Sequence, residues 1–419
     1  MTKQQTIFKL IQKTQDQFTS EFNLLINLIR PVSDENTSNK IESISKQSIN
    51  WNEFIFLIDR HRVAPLVWRG LNRESNLKFP NSIKDAISKR VSMNKKRALQ
   101  QSAELIKLSR LFEYNGIQAI SLKGPILAKQ VYGDIGMRHA GDLDFFVDRG
   151  NLEKATNLLI KNNYLLTAKY QGINSNDMPV FMQLRNHYEF KSNEGICIEL
   201  HWRILFNAPI DKVMNFQQPK ISTLTFTNQD INILTPELNF IYLVLHGTRH
   251  AWFRLKWLCD IAELLEHQPS HLNYINYFNS LYTSRSLTQL NLLLQTYFDM
   301  NLEFNQFRGN NINKATKCMF KYSSSRIHSN IVPSLSDFKN IIFELRYNIL
   351  LTNILKYKTN FLLTKLIVVG DQWKIEFLLK KYNIMFFIFR PLYLAFRFTI
   401  NKKNALEKSK AQSNANIFN

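Results

Sequence analysis

The feature that most constrains the fold is a change of hydrophobic period near residue 116. Before it, Phe8, Ile11, Phe18, Phe22, Leu25 and Leu28 recur at roughly helical spacing. The polar stretch 33–47 reads as a loop, Trp51 opens another helix, and a further helix over 98–114 stops at Asn115-Gly116. After it, short apolar runs alternate with helical ones. Residues 117–122 read as a strand, followed by Lys123-Gly124-Pro125 and a helix over 126–132. A polar loop over 133–141 leads to a strand at 143–147 and a helix at 152–162. The strands 187–191 and 196–202 flank Ser-Asn-Glu-Gly, a hairpin turn. From Pro236, with Thr235 as N-cap, helical patterns resume and run to about residue 400. Only 12 glycines occur, where an average chain of this length carries roughly 30. That excludes glycine-punctuated sandwiches and propellers and favours helix. The expected organisation is α+β: a helical region 1–115, an α/β core 116–230, a C-terminal helical region 231–400 and a disordered basic tail 401–419.

Within the core, Gly141-Asp-Leu-Asp-Phe-Phe-Val-Asp148 carries the chemistry. Side chains alternate along a strand, so Asp142 and Asp144 share one face while Leu143, Phe145 and Val147 take the other. Two neighbouring carboxylates repel each other unless a divalent cation neutralises them, and oxygen-only ligation suits Mg²⁺ or Mn²⁺. The same pattern also arises when a strand leaves its sheet with solvated acids at its start. A second strand, Ile196-Cys-Ile-Glu-Leu-His-Trp202, sets Glu199 and His201 opposite an apolar face. If it neighbours the first, Glu199 completes a three-carboxylate cage; the alternative is a Glu199 paired with arginine at a sheet edge. Glu189 in the other strand of the hairpin is the rival third acid. Upstream, Lys123-Gly124 lies where a strand meets a helix, a position whose backbone N–H groups can bind phosphate. Pro125 removes one such donor.

The order Leu122-Lys-Gly124, Tyr132, Arg138 and Asp142-Leu-Asp-Phe-Phe-Val147 resembles the uncharacterised nucleotidyltransferase family of the DNA polymerase beta superfamily. Further matches are Glu199-Leu-His-Trp202, the stretch His246…Arg254-Leu-Lys-Trp257…Asp260, His61-Arg-Val-Ala-Pro-Leu66 and Phe389-Arg-Pro-Leu392. The resemblance spans roughly residues 50–395. It implies a polymerase-beta-type mixed sheet with helices and transfer of a nucleotidyl group from a nucleoside triphosphate with Mg²⁺. It also implies that Asp142 and Asp144 bind metal, that Glu199 is the third acid, and that the Lys123-Gly124 turn binds nucleotide phosphates. ATP is the default triphosphate. The acceptor hydroxyl is open among a sugar or glycan intermediate, a protein side chain and a nucleic-acid end. Arg138 either contacts phosphate or pairs with Asp134 or Asp142.

His246, His250 and Arg254 fall at i, i+4 and i+8, along one ridge of an expected helix, with Asp260 near enough to hold Arg254. The His-x₃-His spacing admits zinc but shows no third ligand. The resemblance implies a cleft-lining or acceptor-side role for these residues and for His201.

The chain has 54 Lys+Arg against 33 Asp+Glu, a formal +21, a field that attracts polyanions of any kind. Residues 351–410 hold twelve Lys/Arg and three Asp/Glu among aromatic residues, which suits peripheral contact of 380–400 with an anionic membrane. Two rival functions follow: a non-catalytic basic module binding nucleic acid or anionic membrane, and an antitoxin-like partner modifying another protein. The start lacks the apolar segment of a signal peptide, no uncharged run approaches a membrane span, and Cys197, Cys259 and Cys318 are too dispersed for a disulfide framework. A cytoplasmic location is expected, peripheral at the inner membrane face if 380–400 makes that contact.

Overall fold

A computed structural model describes residues 3–74, 79–167, 178, 181–182, 185–205, 218–267, 283–302, 312–329 and 338–366. The proposed membrane contact at 380–400, the Phe389–Leu392 match and the tail 401–419 lie outside the described residues.

Six helices open the chain: α1 (Lys3–Gln15), α2 (Ser20–Leu28), α3 (Glu35–Ser45), α4 (Trp51–His61), α5 (Ala64–Arg73) and α6 (Asn81–Tyr114). Helix α3 replaces the loop expected over 33–47. The Asp34 side chain accepts a hydrogen bond from Thr37 N at 2.7 Å, and Thr37 and Ile41 are buried. An N-cap worth about 1 kcal/mol and two buried positions suffice for a helix whose other residues are almost all polar. Helix α6 is continuous over 34 residues, about 50 Å, where the sequence suggests only its second half.

Among the described residues the sheet has seven strands: β1 (Ala119–Ser121), β2 (Asp142–Val147), β3 (Leu165–Leu166), β4 (His187–Lys191), β5 (Cys197–His201), β6 (Ile221–Phe226) and β7 (Gln229–Leu234). Their order is β3-β4-β5-β2-β1-β7-β6. The sheet is mixed: β1 and β2 pair antiparallel, as do β4 with β5 and β6 with β7, while β2 with β5 and β1 with β7 run parallel. Helices α7 (Gly124–Tyr132) and α8 (Leu152–Lys161) supply the crossovers around β2. The β6–β7 hairpin is absent from the sequence reading and carries the sheet past residue 230. Its turn residues Thr227 and Asn228 both have positive φ, 50° and 61°, the backbone a two-residue hairpin turn requires.

One sheet face is largely apolar. Leu143, Phe145 and Val147 of β2, Ile198 and Leu200 of β5 and Phe190 of β4 pack with Leu105, Leu108 and Phe112 from the end of α6. The opposite face contributes Ile120, Leu122 and Phe146 to a second core that joins α2, α4, α5 and the start of α6 to the helices after the sheet. These are α9 (Pro236–Arg249), α10 (Leu255–His267), α11 (Ser284–Phe298) and α12 (Lys314–His328), followed by α13 (Phe338–Leu350) and α14 (Leu355–Leu366). Helix α6 therefore serves both cores, and the N- and C-terminal helices share one. Among the described residues no helix is long and apolar enough to cross a membrane.

The ridge expected to carry His246, His250 and Arg254 is broken. Helix α9 ends at Arg249, and Ala251 and Trp252 turn left-handed, with φ of 50° and 53°. The chain doubles back, so Arg254 sits just ahead of α10. Trp252 is completely buried against Gly247, where an added Cβ would lie 2.4 Å from the indole. Gly247→Ala should cost about 2–4 kcal/mol through this overpacking, read as a lowered midpoint in denaturant unfolding.

Candidate active site

The pairing of β2 with β5 assembles the carboxylates. The parallel register sets Asp142 opposite Cys197, Asp144 opposite Glu199 and Phe146 opposite His201. Residues in register share a face, so Asp142, Asp144, Glu199 and His201 stand together, away from the apolar side. In β4, Glu189 lies opposite Glu199 and His187 opposite His201. Glu199 is thus the acid beside the Asp-x-Asp strand, and Glu189 is one strand further out.

Asp144 is buried, and its Oδ1 is 3.1 Å from Lys123 Nζ and 3.1 Å from His201 Nε2. Burial alone would raise its pKa, but the Lys123 charge and the His201 hydrogen bond hold it far below the usual carboxylate range. Asp142 shifts the other way, raised by the neighbouring Asp144 charge and by burial. Burial would likewise raise Glu199, yet His201, 3.1 Å from its Oε2, lowers it. Burial alone would lower the His201 imidazole, and its two carboxylate partners instead lift it to about 9. The Asn186 amide lies between two rings, 3.2 Å from His201 Nδ1 and 3.2 Å from His187 Nδ1. Lys123, despite burial, is raised by Asp144.

The backbone explains how Lys123 reaches this position. Gly124 begins α7 with φ of 69°, and a Cβ there would lie 3.3 Å from Leu143 Cδ2. Glycine lets the turn close on β2, which delivers the Lys123 ammonium to Asp144. The residue expected to meet nucleotide phosphate is therefore committed first to a carboxylate.

Arg138 takes a partner other than Asp134 or Asp142. It is buried and its Nε bonds both oxygens of Asp260, at 3.1 and 2.9 Å, while Tyr132 donates to the same carboxylate at 2.9 Å. Asp260 consequently holds Arg138 and Tyr132, not Arg254. Asp134 instead accepts from Gly136 N.

These residues open on a cleft of about 290 Å³ lined on the carboxylate side by Asp142, Glu199, His201 and Lys123. His246, His250, Arg254 and Arg138 also line it, so the structure gathers them despite the broken helix. Burial keeps His246 and His250 neutral, both well below the ordinary imidazole range. His250 stacks on Trp257 with ring centroids 5.1 Å apart, and among the described residues no third ligand joins the two histidines in a metal-binding group. Arg62, Tyr242 and Lys256 are among the lining residues that the sequence does not single out as site residues. Arg62 lies within His61–Leu66 and Lys256 within Arg254–Trp257, so motif membership was the available signal.

The donor set suits a divalent cation. Among the described residues Asp144 Oδ2, which is buried, has no hydrogen-bond partner, an arrangement costly for a carboxylate oxygen unless something else meets it. His187, Glu199 and His201 also offer ligand atoms within 4.8 Å of one another. The expected oxygen-only set thus acquires imidazole nitrogens, which widens its range toward Mn²⁺ and other transition ions.

Protonated His201 stabilises the metal-free protein fully below its unfolded pKa of about 6.5. Stability should fall as pH rises through about 9, where the native state gives up its proton. Denaturant midpoints measured in chelator across this range should show that loss in the wild type and a flatter profile in His201→Gln.

A model of a family described as uncharacterised nucleotidyltransferase matches residues 47–299, more than half of the chain. No curated protein matches it. Among solved structures, the crystal structure of an antigenic nucleotidyltransferase-like protein from Paracoccidioides brasiliensis is similar over 47% of this chain and 88% of that one, at 16% identity and a TM-score of 0.33. By its family match, the chain belongs to the uncharacterised nucleotidyltransferases.

Proposed function

We propose that the cleft transfers a nucleoside monophosphate from a nucleoside triphosphate, with ATP as the first to test, to an acceptor hydroxyl and releases pyrophosphate. The observation that carries this reading is the β2–β5 register, which gives Asp142, Asp144 and Glu199 one face, with Asp142 and Glu199 lining the cleft and Asp144 buried between them and Lys123. Those three carboxylates would hold divalent metal, Mg²⁺ or Mn²⁺. Such metal supplies Lewis-acid polarisation of the phosphoryl oxygens and a lowered pKa for the acceptor hydroxyl.

The protein's own groups have separate tasks. Lys123 and His201 keep Asp144 and Glu199 ionised, so that both remain ligands at neutral pH. Lys123 brings the start of α7 to the cleft, and the N–H groups of that turn would meet the phosphate end of the substrate. Arg138, fixed by Asp260, supports the loop leading into β2 and adds a buried positive charge to the cleft. His246 and His250, neutral and flanked by Trp257, form the wall on the acceptor side.

Incubation with each α-labelled triphosphate, Mg²⁺ or Mn²⁺ and cell extract tests the reaction, and failure of every triphosphate to transfer label would refute it. Chelation should abolish transfer. Asp142→Asn and Asp144→Asn should each lower the rate at least about a thousandfold while the protein stays folded. Asp142→Asn should also raise the melting temperature of the metal-free form, because it relieves repulsion from Asp144.

The two hairpin acids separate in a parallel measurement. Glu199→Gln preserves shape and removes a ligand charge, so the rate should fall about a hundredfold or more. Glu189→Gln should stay within about threefold of wild type. The reverse result would make Glu189 the third acid.

A further inference from the structure

Three cations of the cleft lack a carboxylate partner among the described residues: Arg62, Arg254 and Lys256. The Arg62 side chain makes no hydrogen bond or ion pair there. Arg254 lies over the Phe253 ring at 5.0 Å, and its Nε is buried without a hydrogen-bond partner. Lys256, buried, donates from Nζ to the His139 carbonyl at 3.1 Å. Like charges gathered in a half-buried cleft repel one another and lose hydration, so the arrangement is stabilised when an anion joins it. Burial lowers the pKa of all three and neighbouring cations lower them further, while the Asp142 charge raises each but offsets this only in part.

Their backbone is also unusual. Arg62 ends α4 at φ 58° and ψ 45°, left-handed geometry that is uncommon for a residue other than glycine. Glycine would end that helix at lower conformational cost, so the position calls for the side chain. Arg254 and Lys256 enter the cleft through the reversal at Ala251 and Trp252, again at positive φ. Two separate left-handed turns therefore converge cationic side chains on one place.

That place differs from the Lys123 end. Lys123 pairs directly with Asp144. An Arg62 guanidinium nitrogen instead approaches Gly141, 3.5 Å from where a Cβ would stand. Of the three site carboxylates, Asp142 is the one whose field reaches Arg62, Arg254 and Lys256. In-line displacement puts the attacking and leaving oxygens on opposite sides of the α-phosphorus. Beside Lys123, which acts on Asp142 as well as on Asp144, the cleft holds these three further cations. None of them is in an ion pair with a site carboxylate among the described residues, and they can meet a second anion.

We propose that Arg62, Arg254 and Lys256 form a second anion subsite, on the Asp142 side of the cleft, which binds a phosphate group of the acceptor. This rests on the nucleotidyl-transfer reading and narrows it: the acceptor is a phosphorylated hydroxyl compound. Two guanidinium groups and one ammonium match a phosphate monoester in charge and in donor geometry.

The test uses inorganic phosphate as probe, titrated calorimetrically into the full chain with and without saturating α,β-methylene ATP and Mg²⁺. Phosphate should bind in both conditions. The double variant Arg62→Gln/Arg254→Gln should weaken phosphate at least about tenfold and leave affinity for the analogue within about threefold. Retained analogue binding also shows that the variant is folded; if it is not, Lys256→Met takes its place. Displacement of phosphate by the analogue would assign the cluster to the triphosphate and overturn the proposal, as would phosphate affinity unchanged in both variants. Absence of analogue binding to the wild type would instead sink the transfer reading, and with it the acceptor assignment. The phosphate arm would then still decide whether the cluster binds anions.

Discussion

Three carboxylates on adjacent positions of two parallel strands are the constraint around which this cleft is organised. Neighbouring strands stand about 4.8 Å apart, and at an effective dielectric of about 20 each such pair of charges repels by about 3 kcal/mol. The protein offsets this with Lys123 and His201, which hold Asp144 and Glu199 charged, while Asp142 absorbs the remaining repulsion as a raised pKa. A divalent cation would exchange one set of counter-charges for another. The partnerless Asp144 Oδ2 is the atom at which that exchange has the most to gain.

Everything else in the fold fixes the geometry of that charge balance. The apolar face of β2 and β5 is clamped by the end of α6 and by α8, so the strands cannot slip. A slip of one residue would turn the acids into the core. Gly124 closes the turn that presents Lys123, and the packing of Trp252 on Gly247 fixes the reversal that leads to Arg254 and Lys256. Arg138 ties the loop before β2, and Tyr132 the end of α7, to α10 through Asp260. The N- and C-terminal helices share one core and bring Arg62, Tyr242, Arg254 and Lys256 to the same cleft.

Much of the local structure was legible in the chain. Strand alternation identified the face shared by Asp142 and Asp144, and the hairpin 187–201 with Glu199 on its polar side. It could do so because period-two patterning over half-buried strands is a strong signal. Helix α3 was illegible because its stability rests on one cap and two buried side chains. The hairpin β6–β7 alternates as a strand pair should, Leu224 and Phe226 about Thr225 and Ile231 and Ile233 about Asn232. Its turn, however, uses Thr-Asn in place of a glycine pair and so carries no strong local hairpin signal. The Arg138–Asp260 pair joins residues far apart in sequence. Nothing local could choose Asp260 over Asp134 or Asp142, since ion-pair choice depends on which side chains meet after folding.

The sequence by itself determined the kinds of elements, the face on which each acid lies and the family to which its motifs point. Those follow from backbone periodicity and residue chemistry, which act over a few positions. Tertiary structure decided that β5 lies parallel beside β2, which makes Glu199 the neighbour of Asp144. It also committed Lys123 to a carboxylate, broke the histidine ridge at Ala251–Trp252, and brought Arg62 from the end of α4 to the same cleft as Lys256. These are long-range outcomes. They depend on strand order and helix packing, where the burial of whole faces outweighs any preference a short segment can express.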